Sequence, residues 1–306
     1  IFIIMERFNF IVLIILFSSC MKWELKDHWG IAAWSEDDKG IAIVRLNYEM
    51  ETKPFGAQTR NYRFRVNTAL ISNINNTKTR GKEMDGQVQK IFYMRDKDYV
   101  ITKTLLKKDS GDEIIYYQFL GDGSVRTLMT FPVKKNAIQC NNESWVDEIN
   151  ENGEVIPSPN GNHIAVVRLN LTCEGVKTNV KFLNPDDGAI ISQETILLTQ
   201  KMFGAWENGN KKYFNTQNKF AWNESGQFML GFEELKNNVV TNQVVGWLIS
   251  PGENSSELDK LDYSCFVPST KSSYYSKDGK FISTSMENNK ISIDASLGKV
   301  EVFGCN

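Results

Sequence analysis

The sequence predicts an all-β protein made of several similar small sheets stacked around an axis, and three observations carry that prediction. A nine-residue pattern recurs five times at spacings of 53 to 65 residues. The text between copies consists of short β-branched and aromatic runs broken by Gly, Asn and Asp turns. No stretch beyond the first twenty residues shows a helical period. A four-stranded sheet cannot bury both faces alone, so repeated sheets of this kind pack radially. The architecture expected is a β-propeller, with five blades in the simplest count and six or seven as the alternative.

Composition agrees. The 306 residues are 41% hydrophobic and 11% aromatic, with a net charge of −2. That is enough apolar material for a large core. Lys and Arg are dispersed, so there is no basic footprint for nucleic acid. The densest charge run, Lys103 to Asp109, mixes signs and reads as a solvated hairpin end.

Taken in order, residues 1–20 read as an export signal and 21–306 as one propeller domain. Ile1 to Ile4 precede Met5 and read as lying upstream of the true start. Arg7 sits in a short polar start, Phe10 to Phe17 form an apolar run, and Ser18-Ser19-Cys20 follow. Such a run is too short for a mature membrane span and suits a signal peptide.

The first pattern copy is Trp34-Ser35-Glu36-Asp37-Asp38-Lys39-Gly40-Ile41-Ala42. The second begins at Tyr93, with Lys97 where a turn Gly would stand, as Asp38 does in the first. The third is Pro157-Ser158-Pro159-Asn160-Gly161-Asn162-His163-Ile164-Ala165, and the fourth runs from Trp222 through Gly226 to Leu230. The fifth runs from Tyr275 through Gly279 to Ser283. Asn or Asp before Gly supplies the positive φ of a tight reversal. The aromatic before the turn and the apolar pair after it are expected to fasten one sheet to the next. The segment from Lys22 to Ala33 is expected to close the ring as the outer strand of the final blade, removing an open edge.

Two resemblances add to this. Leu16-Phe17-Ser18-Ser19-Cys20 resembles a bacterial lipobox, with Phe17 where Leu is usual; it implies lipid attachment at Cys20 and a membrane-anchored protein in the periplasm or at the outer membrane. The repeats, most closely Ser158-Pro159-Asn160-Gly161 and Ser276-Lys277-Asp278-Gly279, resemble those of TolB-like propellers. That likeness speaks to architecture and little to function.

With Cys20 set aside, Cys140, Cys173, Cys265 and Cys305 allow two disulfides in three connectivities. Cys140–Cys173 and Cys265–Cys305 are favoured because each pair falls in neighbouring strand units. Buried free thiols are the alternative. No Cys-x-x-Cys points to zinc.

Catalytic signatures are missing. The two histidines, His28 and His163, read as a surface or interface residue and a packing residue respectively. Asp186-Asp187-Gly188 and Asp109 to Asp112 read as turn chemistry rather than calcium loops. No Gly-x-Ser-x-Gly elbow or P-loop occurs. The acid–aromatic groups are Trp145 with Asp147-Glu148, and Trp206 with Glu207. They fit sugar binding, or a glycan hydrolase with funnel carboxylates. The expectation is a binding or scaffold module without cofactor, holding a protein or glycan partner on its loop face.

Overall fold

A computed structural model describes residues 23–294 apart from 54–55, 134–136, 141–142, 148–152, 200–203, 209–210, 216–217, 224, 237–238, 254–255, 262–266, 269–280 and 286–289. Among the described residues the only helical piece is one 3-10 turn, Ile71–Asn73. The first sheet is β1 (Trp23–Trp34), β2 (Gly40–Lys53), β3 (Gly56–Leu70) and β4 (Lys78–Asp85). The second is β5 (Gln87–Met94), β6 (Tyr99–Leu106), β7 (Glu113–Leu120) and β8 (Val125–Pro132). After the short strands β9 (Ala137–Cys140) and β10 (Glu143–Asp147), the third is β11 (Gly153–Pro157), β12 (Ile164–Thr172), β13 (Gly175–Leu183) and β14 (Ile190–Thr199).

Two more short strands follow, β15 (Gly204–Asn208) and β16 (Lys211–Asn215). The fourth sheet is β17 (Asn218–Trp222), β18 (Phe228–Lys236), β19 (Val239–Ile249) and β20 (Ser256–Leu261), with β21 (Val267–Pro268) added beside β17. The hairpin β22 (Phe281–Ser285) and β23 (Lys290–Asp294) comes last.

In all four large sheets the strands pair antiparallel in chain order. Each of the first four pattern copies falls between a first and a second strand, and the fifth leads into β22. These are propeller blades. Blade two shows why its strands are apolar without alternation: Ile114 to Phe119 of β7 are all buried, because a neighbour covers each face.

The core is layered accordingly. Ala33, Val44 and Phe64 of blade one meet Ile91, Val100 and Phe119 of blade two. Tyr99, Tyr116 and Phe131 of blade two meet Val155, Ile164 and Leu183 of blade three. Phe182 of blade three meets Trp222, Phe228 and Trp247 of blade four. Ile291 and Ile293 of β23 pack on the blade-one cluster of Trp34, Ile41 and Ile43, so the last hairpin lies against the first sheet.

This corrects the expected closing strand. β1 pairs with β2 from Trp23↔Glu51 to Trp34↔Ile41, as the first strand of its own sheet. Among the described residues the hairpin meets it through apolar burial, with no shared strand ladder.

The recurring turns are one device. Ser35 N donates to Gly40 O at 2.9 Å and Asp38 N to Ser35 O at 3.1 Å. Ser158 N donates to His163 O at 2.8 Å and Gly161 N to Ser158 O at 2.9 Å. The Ser hydroxyls repeat the match, Ser35 Oγ to Asp37 Oδ1 at 2.6 Å and Ser158 Oγ to Asn160 Oδ1 at 2.7 Å. The fourth turn residue has positive φ in every described copy: Asp38 at 58°, Asp98 at 52°, Gly161 at 68° and Gly226 at 83°. Asp tolerates this left-handed region, so a missing Gly does not change the turn. The second copy is shifted by one residue. Asp98 N donates to Arg95 O, which puts Met94 and Asp98, not Tyr93 and Lys97, in the places of Trp34 and Asp38.

Candidate functional site

The sequence-predicted acid–aromatic groups lie about sixty residues apart, in the linkers on either side of blade three. The structure brings them together. β9, β10, β15 and β16 form one four-stranded sheet in the order β15-β16-β10-β9, separate from the blades. β9 and β10 are a hairpin, as are β15 and β16, and the two join by parallel pairing of β10 with β16. The register aligns Trp145, Lys212 and Glu207 in one row across three strands. The next row holds Val146, Tyr213 and Trp206, and the one after it Asp147, Phe214 and Ala205.

Because successive rows alternate between faces, Glu207 shares a face with Trp145 and parts from its sequence neighbour Trp206. Asp147 falls on that same face, two residues along and two strands across from Glu207. At strand and residue spacings their Cα atoms are about 12 Å apart. The register thus puts the Trp145, Lys212, Glu207 and Asp147 positions on one face of the inserted sheet.

Cys173 follows β12 and is disulfide-bonded. Its sulfur lies 3.8 Å from the carbonyl of Gln139, the residue before Cys140 in β9. Blade three and the inserted sheet therefore touch at this corner. Cys20, Cys265, Cys305, Tyr275, Gly279 and Glu148 lie outside the described residues. Trp222, 2% exposed, donates from Nε1 to the carbonyl of Ile156 in the preceding blade at 3.2 Å, a fastening role as expected. Trp34 and Tyr93 are likewise buried, in the layers on either face of blade one.

Two charged residues depart from expectation. Lys103 is buried in β6, its Nζ 3.9 Å from Glu154 of blade three, which Lys90 also meets at 2.9 Å. A polar residue inside a sheet-to-sheet layer has no sequence signature when its partner lies in another blade. His28 is buried against Tyr48, ring centroids 5.4 Å apart and edge on, and burial pushes its pKa down while Asp27 opposes the shift. His163 behaves as the packing residue predicted, stacked on Trp222 at 6.3 Å, its pKa also lowered by burial. Asp186 and Asp187 serve their own turn, where Asp187 Oδ1 accepts from Ala189 N at 2.8 Å. Among the described residues no cluster of His, Cys, Asp or Glu could hold a metal.

Sequence reasoning missed a second surface. β2 and β3 run 14 and 15 residues, against eight for β6 and β7, so the outer part of blade one projects as a three-stranded arm with β1. One face is a ladder of opposite charges. Asp27 holds Arg45 with two bonds, at 2.7 and 2.9 Å, and Glu49 holds Arg60 at 2.8 Å. The Arg45 guanidinium lowers the Asp27 pKa, and Arg60 does the same to Glu49. Arg60 also lies over the Trp23 ring at 3.9 Å. The alternation of Arg60, Arg63 and Arg65 opposite acids was the available signal.

No family matches this chain, and no curated protein does. Among solved structures it is similar to the acylaminoacyl peptidase of Pyrococcus horikoshii, at TM-score 0.41 and 8% identity over 77% of this chain and 33% of that one. It is similar to TolB from Acinetobacter baumannii, at TM-score 0.29 and 14% identity over 74% of this chain and 52% of that one. The β-propeller domain of the Trilobed protease from Pyrococcus furiosus gives TM-score 0.32 and 8% identity over 78% and 71%. The chain thus spans about a third of the peptidase and half of TolB.

Proposed function

We propose that this is an exported, lipid-anchored five-bladed propeller of the bacterial envelope, which binds a protein or glycan partner through its inserted sheet. The observation that carries the binding surface is the register that gathers Trp145, Lys212 and Glu207 from two linkers. Linkers that meet off a rigid scaffold are where recognition is carried, because the scaffold holds them without depending on their sequence. The disulfide at Cys173 supports export, since such bonds persist in oxidising compartments. Its partner in this reading is Cys140, with Cys265–Cys305 as the second bridge. Attachment in this reading is through the lipid at Cys20.

The test is a titration of peptidoglycan fragments and envelope polysaccharide against wild type and Trp145→Ala/Glu207→Gln. A photo-crosslinker at position 212 in intact cells reports protein partners. Loss of about tenfold or more in affinity, or of a specific crosslink, is expected in the double variant. Equal binding by the variant, or no glycan binding and no crosslink, overturns the assignment.

A further inference from the structure

We infer that the outer end of the blade-one arm rests on the membrane surface, with Trp23 and Leu25 in the headgroup region. The inference depends on the lipidation of Cys20 argued above. Only Met21 and Lys22 separate Cys20 from Trp23. At about 3.4 Å per residue, the Cα atom of Trp23 then lies within about 10 Å of that of the lipidated cysteine. Trp23 is also the first residue of β1 and pairs with Glu51, two residues from the Lys53↔Gly56 end of the β2–β3 hairpin. The chain therefore leaves the lipid at the tip of the arm, not at the body of the propeller. The arm adds about six residues beyond the strands of blade two, or about 20 Å of reach.

The tip has the chemistry of an interfacial contact. Leu25 is 74% exposed, the most exposed large apolar side chain among the described residues. It shares a face with Trp23, two residues before it on the strand. Trp favours the headgroup level, where an apolar ring and a polar N–H are both accommodated. The basic groups beside them are paired, Lys26 with Glu24 at 2.8 Å and Arg60 with Glu49 at 2.8 Å. The contact therefore draws on Trp23 and Leu25 rather than on anionic lipid, and salt leaves it unchanged. The consequence is orientation: the arm holds the propeller off the bilayer on one edge and leaves its loops clear.

The experiment uses the full lipoprotein in phosphatidylcholine vesicles carrying brominated acyl chains, with detergent-phase partitioning measured alongside. Trp23 is one of seven tryptophans, so contact quenching reaches at most about a seventh of the emission. Quenching is expected in wild type at low and high salt, and is expected to vanish in Trp23→Phe and in Leu25→Glu. Both variants should still partition with detergent. Retention in detergent with no Trp23-dependent quenching overturns the arm contact and leaves the anchor standing. Wild type that stays aqueous overturns the anchor and the arm contact together.

Discussion

Two blade junctions built on the same turn are fastened by opposite chemistries. Between blades three and four the fastening is aromatic: Trp222 packs on Phe182 and Phe228, stacks on His163, and spends its one polar atom on the Ile156 carbonyl. Between blades one and two the apolar layer of Phe64 and Phe119 is joined at the turn by an ionic fastening. Glu36 accepts from Arg95 N at 2.7 Å and Asp96 N at 2.8 Å, Asp37 holds the Arg95 guanidinium, and Arg80 meets Asp98 at 2.5 Å. The difference shows that the propeller demands a turn of fixed shape and an occupied junction, and leaves the occupant open. It also makes the first junction answer to carboxylate protonation and the second to imidazole protonation.

The largest test removes the aromatic fastening. Trp222→Ala deletes a fully buried indole and its hydrogen bond to the Ile156 carbonyl, and is expected to cost about 3–5 kcal/mol in urea unfolding. A cost below about 1 kcal/mol would mean that this junction is not held by Trp222 at all. Next in size, Glu36→Ala leaves two backbone N–H groups of the neighbouring blade without their acceptor and is expected to cost about 1–3 kcal/mol. An unchanged midpoint would show that water replaces the carboxylate there without penalty.

The smallest effects are in pH slope. The Arg95 guanidinium, through its hydrogen bonds, holds the Asp37 carboxyl well below the usual carboxylate range. The unfolded chain therefore takes up that proton first. The stability Asp37 contributes is present above its unfolded pKa near 4 and drains away as pH falls below it. His163 is depressed by burial, so its contribution is present above about 6.5 and is lost as pH falls through the interval below. Thermal midpoints should show two separable slopes. His163→Phe should reduce the one just below pH 6.5, leaving the share of His28, and Asp37→Asn the one below pH 4, leaving the shares of Asp27 and Glu49. If either substitution reduces both, the junctions are coupled and the contrast between them fails.

How much of this was legible is clearest from the turns. Ser158-Pro159-Asn160-Gly161 announces its conformation because the constraint is stereochemical and local: a positive φ, a side-chain acceptor, and an apolar pair after it. The second copy misled by one residue. Tyr93 resembles the aromatic of the pattern, yet the turn is set by Asp98, which fills the left-handed position in place of Gly. Trp23–Trp34 misled more broadly. Strand character is evident in it, but its pairing with β2 rather than with a strand 250 residues later is a tertiary choice that strand character does not specify.

The sequence by itself determined the repeat, its strands and its turns, because each depends on neighbours a few residues apart. Tertiary structure alone decided that β10 and β16 pair in parallel and so set Glu207, Lys212 and Trp145 in one row. It also decided that Lys103 is buried at Glu154 and that the closing hairpin meets blade one through apolar burial. These join segments tens to hundreds of residues apart. No local propensity encodes such contacts, because their energy comes from surfaces that exist only once the blades have stacked.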